Sequence, residues 1–348
     1  MSLARAMEAF CPLLKAHRSR LPPPCRAAVT VVIPCYNYGR YLRAATLSAL
    51  RQDGVDVKVL IVDDASIDNS REVAKALETE FRDVSVVAHE SNRGHIATYN
   101  DGLGRVDSRY VLLLSADDLL APGALARAVS VMERHESVGL VYGFAPDFAD
   151  QPPSVRTMVP HYSVWPGGLW LDAVCRRAQN SVCTPTAVMR LDLLRECGGY
   201  DPEAPHAGDF LLWLRAGSRR DVAYVSGVDQ AFYRVHGENM HTTGYGAVLS
   251  DMTERRRALE TFFESPDGRR PDPRRDQAMA ALVAEAVVLA RQARTGDPAL
   301  RAFVAECGAD PSVLDQTSSR RLAPVYQFRR DLSGRFGWRY WRLVGLRP

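Results

Sequence analysis

Between residues 27 and 118 the chain alternates two hydrophobic rhythms. AAVTVVIPCYN (27–37), VKVLIVDDAS (57–66), VSVVAHE (84–90) and YVLLLSADD (110–118) are short runs, apolar nearly throughout and closed by proline, acids or other polar groups. Runs of that length and β-branched content predict strands covered on both faces. Between them, YLRAATLSALR (41–51), SIDNSREVAKALETEF (66–81) and GHIATYNDGLGR (94–105) place apolar residues at helical spacing. Ser66 or Asp68 offers a cap for the second of these, with Val73, Leu77 and Phe81 on one face. Strand and helix in alternation predict an α/β domain with a mostly parallel sheet.

The pattern continues with a helix at 124–135 (ALARAVSVMERH), a strand at 138–148 (VGLVYGFAPDF) and a proline-rich connection, DQPPSVR (150–156). The stretch 180–226 predicts a strand, a short helix, a turn-rich loop and a helix opening at Asp209. Beyond 247 the spacing becomes helical, in SDMTERRRALETFF (250–263) and DQAMAALVAEAVVLARQA (276–293), with SPDGRRPDPRR (265–275) between. The expected organisation is a lead-in over 1–28, closed by the stiff LPPPC, an α/β domain over 29–246, and a helical region with a basic aromatic tail over 247–348.

Open parallel sheets bind ligands beyond the carboxyl ends of their strands. The unusual polar clusters all fall there: PCYN after the first strand, Asp63-Asp64 after the second, Asn92-Arg93-Gly94 after the third and Asp117-Asp118 after the fourth. Two adjacent carboxylates at the end of a buried strand repel each other unless a cation or polar ligand lies between them. Capping of the helix near Pro122-Gly123-Ala124 by Ser115 or Asp117 is the simpler reading of one such pair. Four converging loops favour a site.

Composition narrows the partners. With 46% hydrophobic and 24% charged residues and a net charge of +3, the chain carries no overall excess that would attract nucleic acid. No run of eighteen apolar residues occurs, and Arg, Glu and Lys break up the first twenty, so neither a membrane span nor a signal peptide is expected and the cytoplasm is the predicted compartment. Seven cysteines without a CxxC pair argue against a disulfide framework or a zinc site.

Taken in order, VVIPCYNYGRYL, IVDDASIDNS, NRGHIATYNDGL, YVLLLSADDLLAPGAL, GGYD followed by GDFLLWLRAG, and YRVHGENMH resemble the inverting, nucleotide-sugar-dependent glycosyltransferases of family 2, over about residues 29–245. The resemblance implies the GT-A fold, a Rossmann-like α/β arrangement whose mostly parallel sheet is flanked by helices. It also implies that Pro34, Tyr36, Asp63 and Asp64 hold the nucleotide, with Arg93, Ser115 and Ala116 contributing. A carboxylate can accept from a uracil imide N–H and an aromatic ring can cover the base, which suits UDP; dTDP presents the same imide.

SADD is similar to the family's DxD-like acidic motif, which places Asp117 on a Mn²⁺ or Mg²⁺ ion, with Asp118 as a cap or a neighbouring contact. Such hard cations take oxygen ligands and keep waters and phosphate oxygens. GDFLLWLRAG resembles the segment in which an aspartate is the general base, here Asp209. Two departures stand out: Ser115 replaces the first acid of the metal motif, and Gly208 replaces the glutamate before the base. In YRVHGENMH, His236 is the candidate for the metal or diphosphate, with Arg234 and Asn239 secondary. Trp165 and Trp170, in PHYSVWPGGLW, are candidates for an acceptor pocket or for the core.

The implied reaction moves a sugar from a nucleotide-sugar donor to an acceptor hydroxyl on a glycan, lipid, protein or natural product. Two rivals remain: a nucleotide-sugar-binding protein without catalysis, supported by Ser115 and Gly208, and a sugar nucleotidyltransferase, for which the first loop offers only Arg40. Oligomeric state is not legible. The tail 326–348 interleaves arginines with Phe336, Trp338, Tyr340 and Trp341. It either clasps the domain or makes peripheral contact with an anionic membrane at its inner face.

Overall fold

The computed structural model describes residues 19–24, 26–156, 160–237, 245–265, 272–293 and 297–315. The expected lead-in up to 18, Asn239 and the whole basic aromatic tail lie outside them.

The described strands are β1 (Ser19–Arg20), β2 (Ala28–Cys35), β3 (Asp56–Asp63), β4 (Val84–Ala88), β5 (Tyr110–Leu113), β6 (Leu119–Leu120), β7 (Val138–Phe144), β8 (Asp147–Phe148), β9 (His161–Trp165), β10 (Val188–Arg190), β11 (Asp221–Asp229) and β12 (Ala231–Arg234). The helices are α1 (Gly39–Leu50), α2 (Ser70–Glu80), α3 (His95–Gly104), α4 (Ala124–Arg134), α5 (Gly167–Cys175), α6 (Leu191–Cys197), α7 (Gly208–Arg219), α8 (Tyr245–Glu264), α9 (Arg274–Ala293) and α10 (Pro298–Glu306). Nine strands form one sheet in the order β1-β9-β11-β7-β10-β5-β2-β3-β4. β4, β3, β2 and β5 are mutually parallel, β11 is parallel to β7, and β10 runs antiparallel to both β5 and β7. This is the expected α/β architecture; the sheet is mixed, parallel at β4-β3-β2-β5 and β7-β11 and antiparallel at its other four neighbouring pairs.

The near-continuous apolar strands are explained by two cores, one on each face of the sheet. Along β2, Val29, Val31 and Ile33 pack with Leu42, Leu77 and Leu125 of α1, α2 and α4. Val32 points the other way, with Ile96 and Leu103 of α3 and the helices that follow. β3 and β5 divide in the same way, with Val59 and Ile61 against Leu60 and Val62, and Leu112 against Val111 and Leu113. Period-two alternation is present, but both faces are apolar, so it leaves no polar trace. On the second face α3 lies close to the sheet: a Cβ on Gly102 would stand 2.5 Å from Val32 Cγ1.

The helices beyond 245 extend this second core. Met252, Leu259 and Phe262 of α8, Leu282 of α9 and Phe303 of α10 are buried in one cluster with Trp170 and Leu214. The helical extension is therefore packed on α5 and α7, and the core is continuous across the boundary expected near 247. β9 and β11 complete the sheet where the sequence showed less: β9 is half-buried and pairs antiparallel to β11, in a segment expected to serve an acceptor.

β2 is the switch point. The chain winds outward through β3 and β4, then returns to β5 on the other side of β2. The carboxyl ends of β2, β3 and β5 therefore open onto one edge, and a small sheet β6-β12-β8 lies beside it.

Candidate active site

The loops after β2 and β3 are knitted together. Asn37 adopts a left-handed φ of 60°, which asparagine tolerates better than most residues. Its N–H donates to Ser66 Oγ at 3.0 Å and its Oδ1 accepts from the Ile67 N–H at 2.9 Å. Asp68 accepts from the Gly39 N–H at 3.1 Å and from the Ser70 N–H at 2.9 Å, so it serves the first turns of both α1 and α2. A Cβ on Gly39 would lie 2.9 Å from the Ser70 backbone nitrogen, so glycine suits this close approach. The result is a cavity of about 560 Å³ lined by Tyr36, Asn37, Tyr38, Arg40, Ile67 and Asp68. Tyr36 and Ile67, 45% and 87% exposed, present apolar faces at its rim, and Pro34 is the penultimate residue of the strand below.

Asp63 and Asp64 are buried, and they differ. Asp64 Oδ1 accepts from the Arg93 N–H at 2.8 Å and meets His89 Nδ1 at 2.7 Å, while Oδ2 accepts from the Gly94 N–H at 3.0 Å. Burial pushes its carboxyl up, but the hydrogen bonds from His89, the Arg93 N–H, Thr98 and the Gly94 N–H outweigh it and hold the group below the usual range. Asp63 Oδ2 accepts from Arg71 Nε at 2.9 Å, and Oδ1 is buried without a partner. The unused acceptor of the pair is on Asp63. Arg93 contributes its backbone, and its guanidinium is at the surface with Nη1 3.5 Å from His89 Nε2.

The acidic pair after β5 is not a helix cap. The residue before α4 is Gly123, in left-handed conformation at φ 72°, with no side-chain cap bond. Asp118 instead accepts from the Arg234 N–H at 2.8 Å, and its own N–H donates to the Ser115 carbonyl at 3.1 Å. Burial, and next the Asp117 charge, push the Asp118 carboxyl well up. Arg234 Nε donates to the Asp117 carbonyl and Nη1 to the Ala149 carbonyl, both at 2.8 Å, while its guanidinium lies over Tyr41 and Phe148. Arg234 is thus a clasp for the acidic turn, and the small sheet is what delivers it. Ser115 is half-buried and Ala116 fully buried in that turn.

Asp117 is 5% exposed. His236 Nε2 lies 3.0 Å from its Oδ2, and Oδ1 is buried with no hydrogen-bond partner. The His236 ring packs on Tyr41 and edge-on to Tyr38, with centroids 5.5 and 5.6 Å apart, which joins the acidic turn to the first loop. A buried carboxylate oxygen without a donor is costly unless something positive faces it. The residues therefore fit a divalent cation. Among the described residues no three His, Cys, Asp or Glu side chains converge on one point, and of those residues Asp117 and His236 are the pair that meets here.

Asp209 lies in the first turn of α7. Its Oδ1 accepts from the Phe210 N–H at 2.7 Å, and its Oδ2 accepts from Asn180 Nδ2 at 2.8 Å and from Thr184 Oγ1 at 3.3 Å. The loop leading into α7 is docked on α3: Asn100 accepts from the Tyr200 N–H at 2.9 Å and donates to the Tyr200 carbonyl at 2.7 Å. Gly208 has a packing explanation, since a Cβ there would lie 3.2 Å from the Tyr200 ring and 3.4 Å from Ile96 Cδ1. Tyr99 of α3 joins the two halves. Burial raises its phenol, and the charges of Asp209 and then Asp117 push it further, so both carboxylates act on one hydroxyl.

Trp165 and Trp170 are not part of this cleft. They are 4% and 1% exposed, within the second-face core, and Trp170 Nε1 donates to Tyr142 Oη at 3.3 Å. Neither offers a face to a sugar ring, because β9 and α5 turn both rings under the sheet. Sequence reasoning passed over Tyr99, His89, Asn180 and Thr184. Tyr99 stands inside a quoted motif, whereas Asn180 and Thr184 carry no local signal.

Residues 30–195 match the glycosyl transferase family 2 model. An uncharacterized glycosyltransferase of Nostoc sp. is 27% identical over 244 residues, which cover 67% of this chain and 72% of that one. Among solved structures, S. aureus TarS in complex with UDP-GlcNAc is 16% identical and covers 83% of this chain and 91% of its own, with a TM-score of 0.54. A mannosyltransferase of Pyrobaculum calidifontis, in complex with GDP-Man and Mn²⁺, is 17% identical and covers 99% and 91%, also at 0.54.

Proposed function

We propose that this chain, whose residues 30–195 match the glycosyl transferase family 2 model and which is similar to a glycosyltransferase of Nostoc sp., is a metal-dependent, inverting glycosyltransferase taking its sugar from UDP or dTDP. The observation that carries the reading is the partnerless, buried Oδ1 of Asp117 at the carboxyl end of β5, beside His236.

The nucleoside enters the cavity between Tyr36 and Ile67. Tyr36 covers the base, and Asp63 supplies the acceptor that Asp64 has already spent on Arg93, Gly94 and His89. Asp117 would hold Mn²⁺ or Mg²⁺, with His236 fixing the second carboxylate oxygen. When bound, that ion supplies positive charge to the departing diphosphate. Arg234 and Asp118 keep the acidic turn in register. Across the cleft, Asp209 accepts the proton of the acceptor hydroxyl as its oxygen bonds to the anomeric carbon. The bond from that carbon to the phosphate oxygen breaks on the opposite side, which inverts the configuration. A positioned base of this kind contributes roughly 10²–10⁴-fold.

A thermal-shift panel of UDP, dTDP and GDP, each with and without Mn²⁺, tests the reading, because a ligand of the native state raises stability by mass action. Stabilisation by UDP or dTDP that requires Mn²⁺ is expected. Equal shifts without the metal, or a response to GDP alone, would overturn it.

A further inference from the structure

We propose that Asn180 is a positioning residue for Asp209, fixing which carboxylate oxygen faces the acceptor, and that the C-terminal helices hold it there. The proposal rests on the assignment of Asp209 as base.

The orientation of the Asn180 amide follows from its neighbours. Its Oδ1 accepts from the Val182 N–H at 3.1 Å, which leaves Nδ2 to face Asp209 Oδ2 at 2.8 Å. With Thr184 Oγ1 also on Oδ2 and the Phe210 N–H on Oδ1, the two oxygens are not equivalent. Among the described contacts, side-chain donors meet Oδ2 and a backbone donor at the helix start meets Oδ1. A carboxylate constrained in this way presents a fixed lone-pair direction, where a free one would rotate. Among the described residues, the phenols of Tyr99 and Tyr200 also face this carboxylate, both neutral because burial, and next the Asp209 charge, raise them.

The loop that carries Asn180 is anchored from far along the chain. Ala178, two residues earlier, has a left-handed φ of 47°, unusual for alanine. Its carbonyl accepts from Arg255 Nη1 of α8 at 2.6 Å. Arg255 is 5% exposed and is locked by Glu285 of α9, which accepts from Nη1 and Nη2 at 3.1 and 3.0 Å, and by Asp251, which accepts from Nε at 2.8 Å. A chain of charge-assisted bonds thus runs from α9 through α8 to the loop that orients the base.

Asn180→Asp isolates the proposed contact. Aspartate keeps the acceptor for the Val182 N–H and nearly the same shape, but replaces the donor to Asp209 by a like charge. The measurements are donor affinity by calorimetry with UDP and Mn²⁺, and UDP release from UDP-glucose and UDP-N-acetylglucosamine with water as acceptor, across pH, for the full chain and the Asp209→Asn reference. Unchanged UDP affinity, at least tenfold slower release at neutral pH, and an acid limb moved to higher pH are expected for Asn180→Asp. Asn180→Ala should slow release without moving the limb as far. If Asp209→Asn loses release while both Asn180 variants keep the wild-type rate and profile, the positioning role is wrong and the base assignment stands. If Asp209→Asn releases UDP at the wild-type rate, or the wild-type chain releases none, the base assignment fails and this inference with it.

Discussion

Asn37, Asp64 and Asp68 on the donor side are held by partners one or two loops away, at separations of 2 to 30 residues. Asp209 is reached from Asn180 at 29 residues, and the loop behind Asn180 is held by Arg255 across 77. The first arrangement is built from backbone N–H groups and short side chains, and closes within three successive βα turns. The second is assembled from elements that meet only once α8 and α9 are docked. On the proposed reading, donor binding and proton removal depend on different parts of the fold, and substitutions should separate them.

The largest separation is expected at the acidic turn. Asp117→Asn keeps the shape of the side chain but removes the charge that a cation needs, so transfer should be abolished while the melting temperature stays near that of the parent. Full activity with ordinary Mn²⁺ dependence would remove Asp117 from the mechanism. Next in size is Asp209→Asn, for which turnover should fall by roughly 10²–10⁴-fold with donor affinity nearly unchanged. A collapse of affinity with turnover of bound donor intact would move Asp209 to the donor side.

Smaller still in its effect on chemistry, Arg255→Met tests the long-range brace. Removing the buried cation leaves Glu285 and the Ala178 carbonyl without their donors, and denaturant unfolding should show a loss of about 3 kcal/mol. In folded protein at low temperature UDP affinity should persist while turnover drops. A variant as stable and active as the parent would dissolve the proposed link between the C-terminal helices and the base.

The donor-side loops carry the mildest prediction. Asp64→Ala should cost about 1–3 kcal/mol, because the Arg93 and Gly94 N–H groups lose their acceptor. Since hydrogen bonding holds the folded Asp64 carboxyl below its unfolded value despite burial, its contribution is complete above the ordinary carboxylate range near pH ~4 and is lost as pH falls through the lower folded value. The stability difference between parent and variant should therefore shrink in acid and stay flat from neutral to mildly alkaline pH. A difference that instead grew in acid would contradict the assigned contacts.

Legibility in the sequence follows the same division. The parallel half-sheet could be read because each strand is a closed apolar run and each following loop breaks it with marked polar residues, as in Asp63-Asp64 and Asp117-Asp118. Legibility weakened where a side chain's task is set by tertiary neighbours. Asp64 and Asp63 look alike in sequence, yet burial and the backbone of residues 93–94 occupy one and leave an oxygen of the other unused. Trp165 and Trp170 could serve sugar or core, and only the pairing of β9 with β11 and the placing of α5 decide for the core. Asn180 and Thr184 had no pattern to betray them, because their meaning lies in a carboxylate about 25 residues further on.

The central claim is that Asp117 and a divalent cation hold the donor diphosphate while Asp209 acts only afterwards. Calorimetric titration of UDP into the full chain, Asp117→Asn and Asp209→Asn, with Mn²⁺ and with EDTA, tests it most directly. The account predicts binding by the parent and Asp209→Asn only with Mn²⁺, and none above background by Asp117→Asn. Equal UDP binding by all three proteins in EDTA would contradict it.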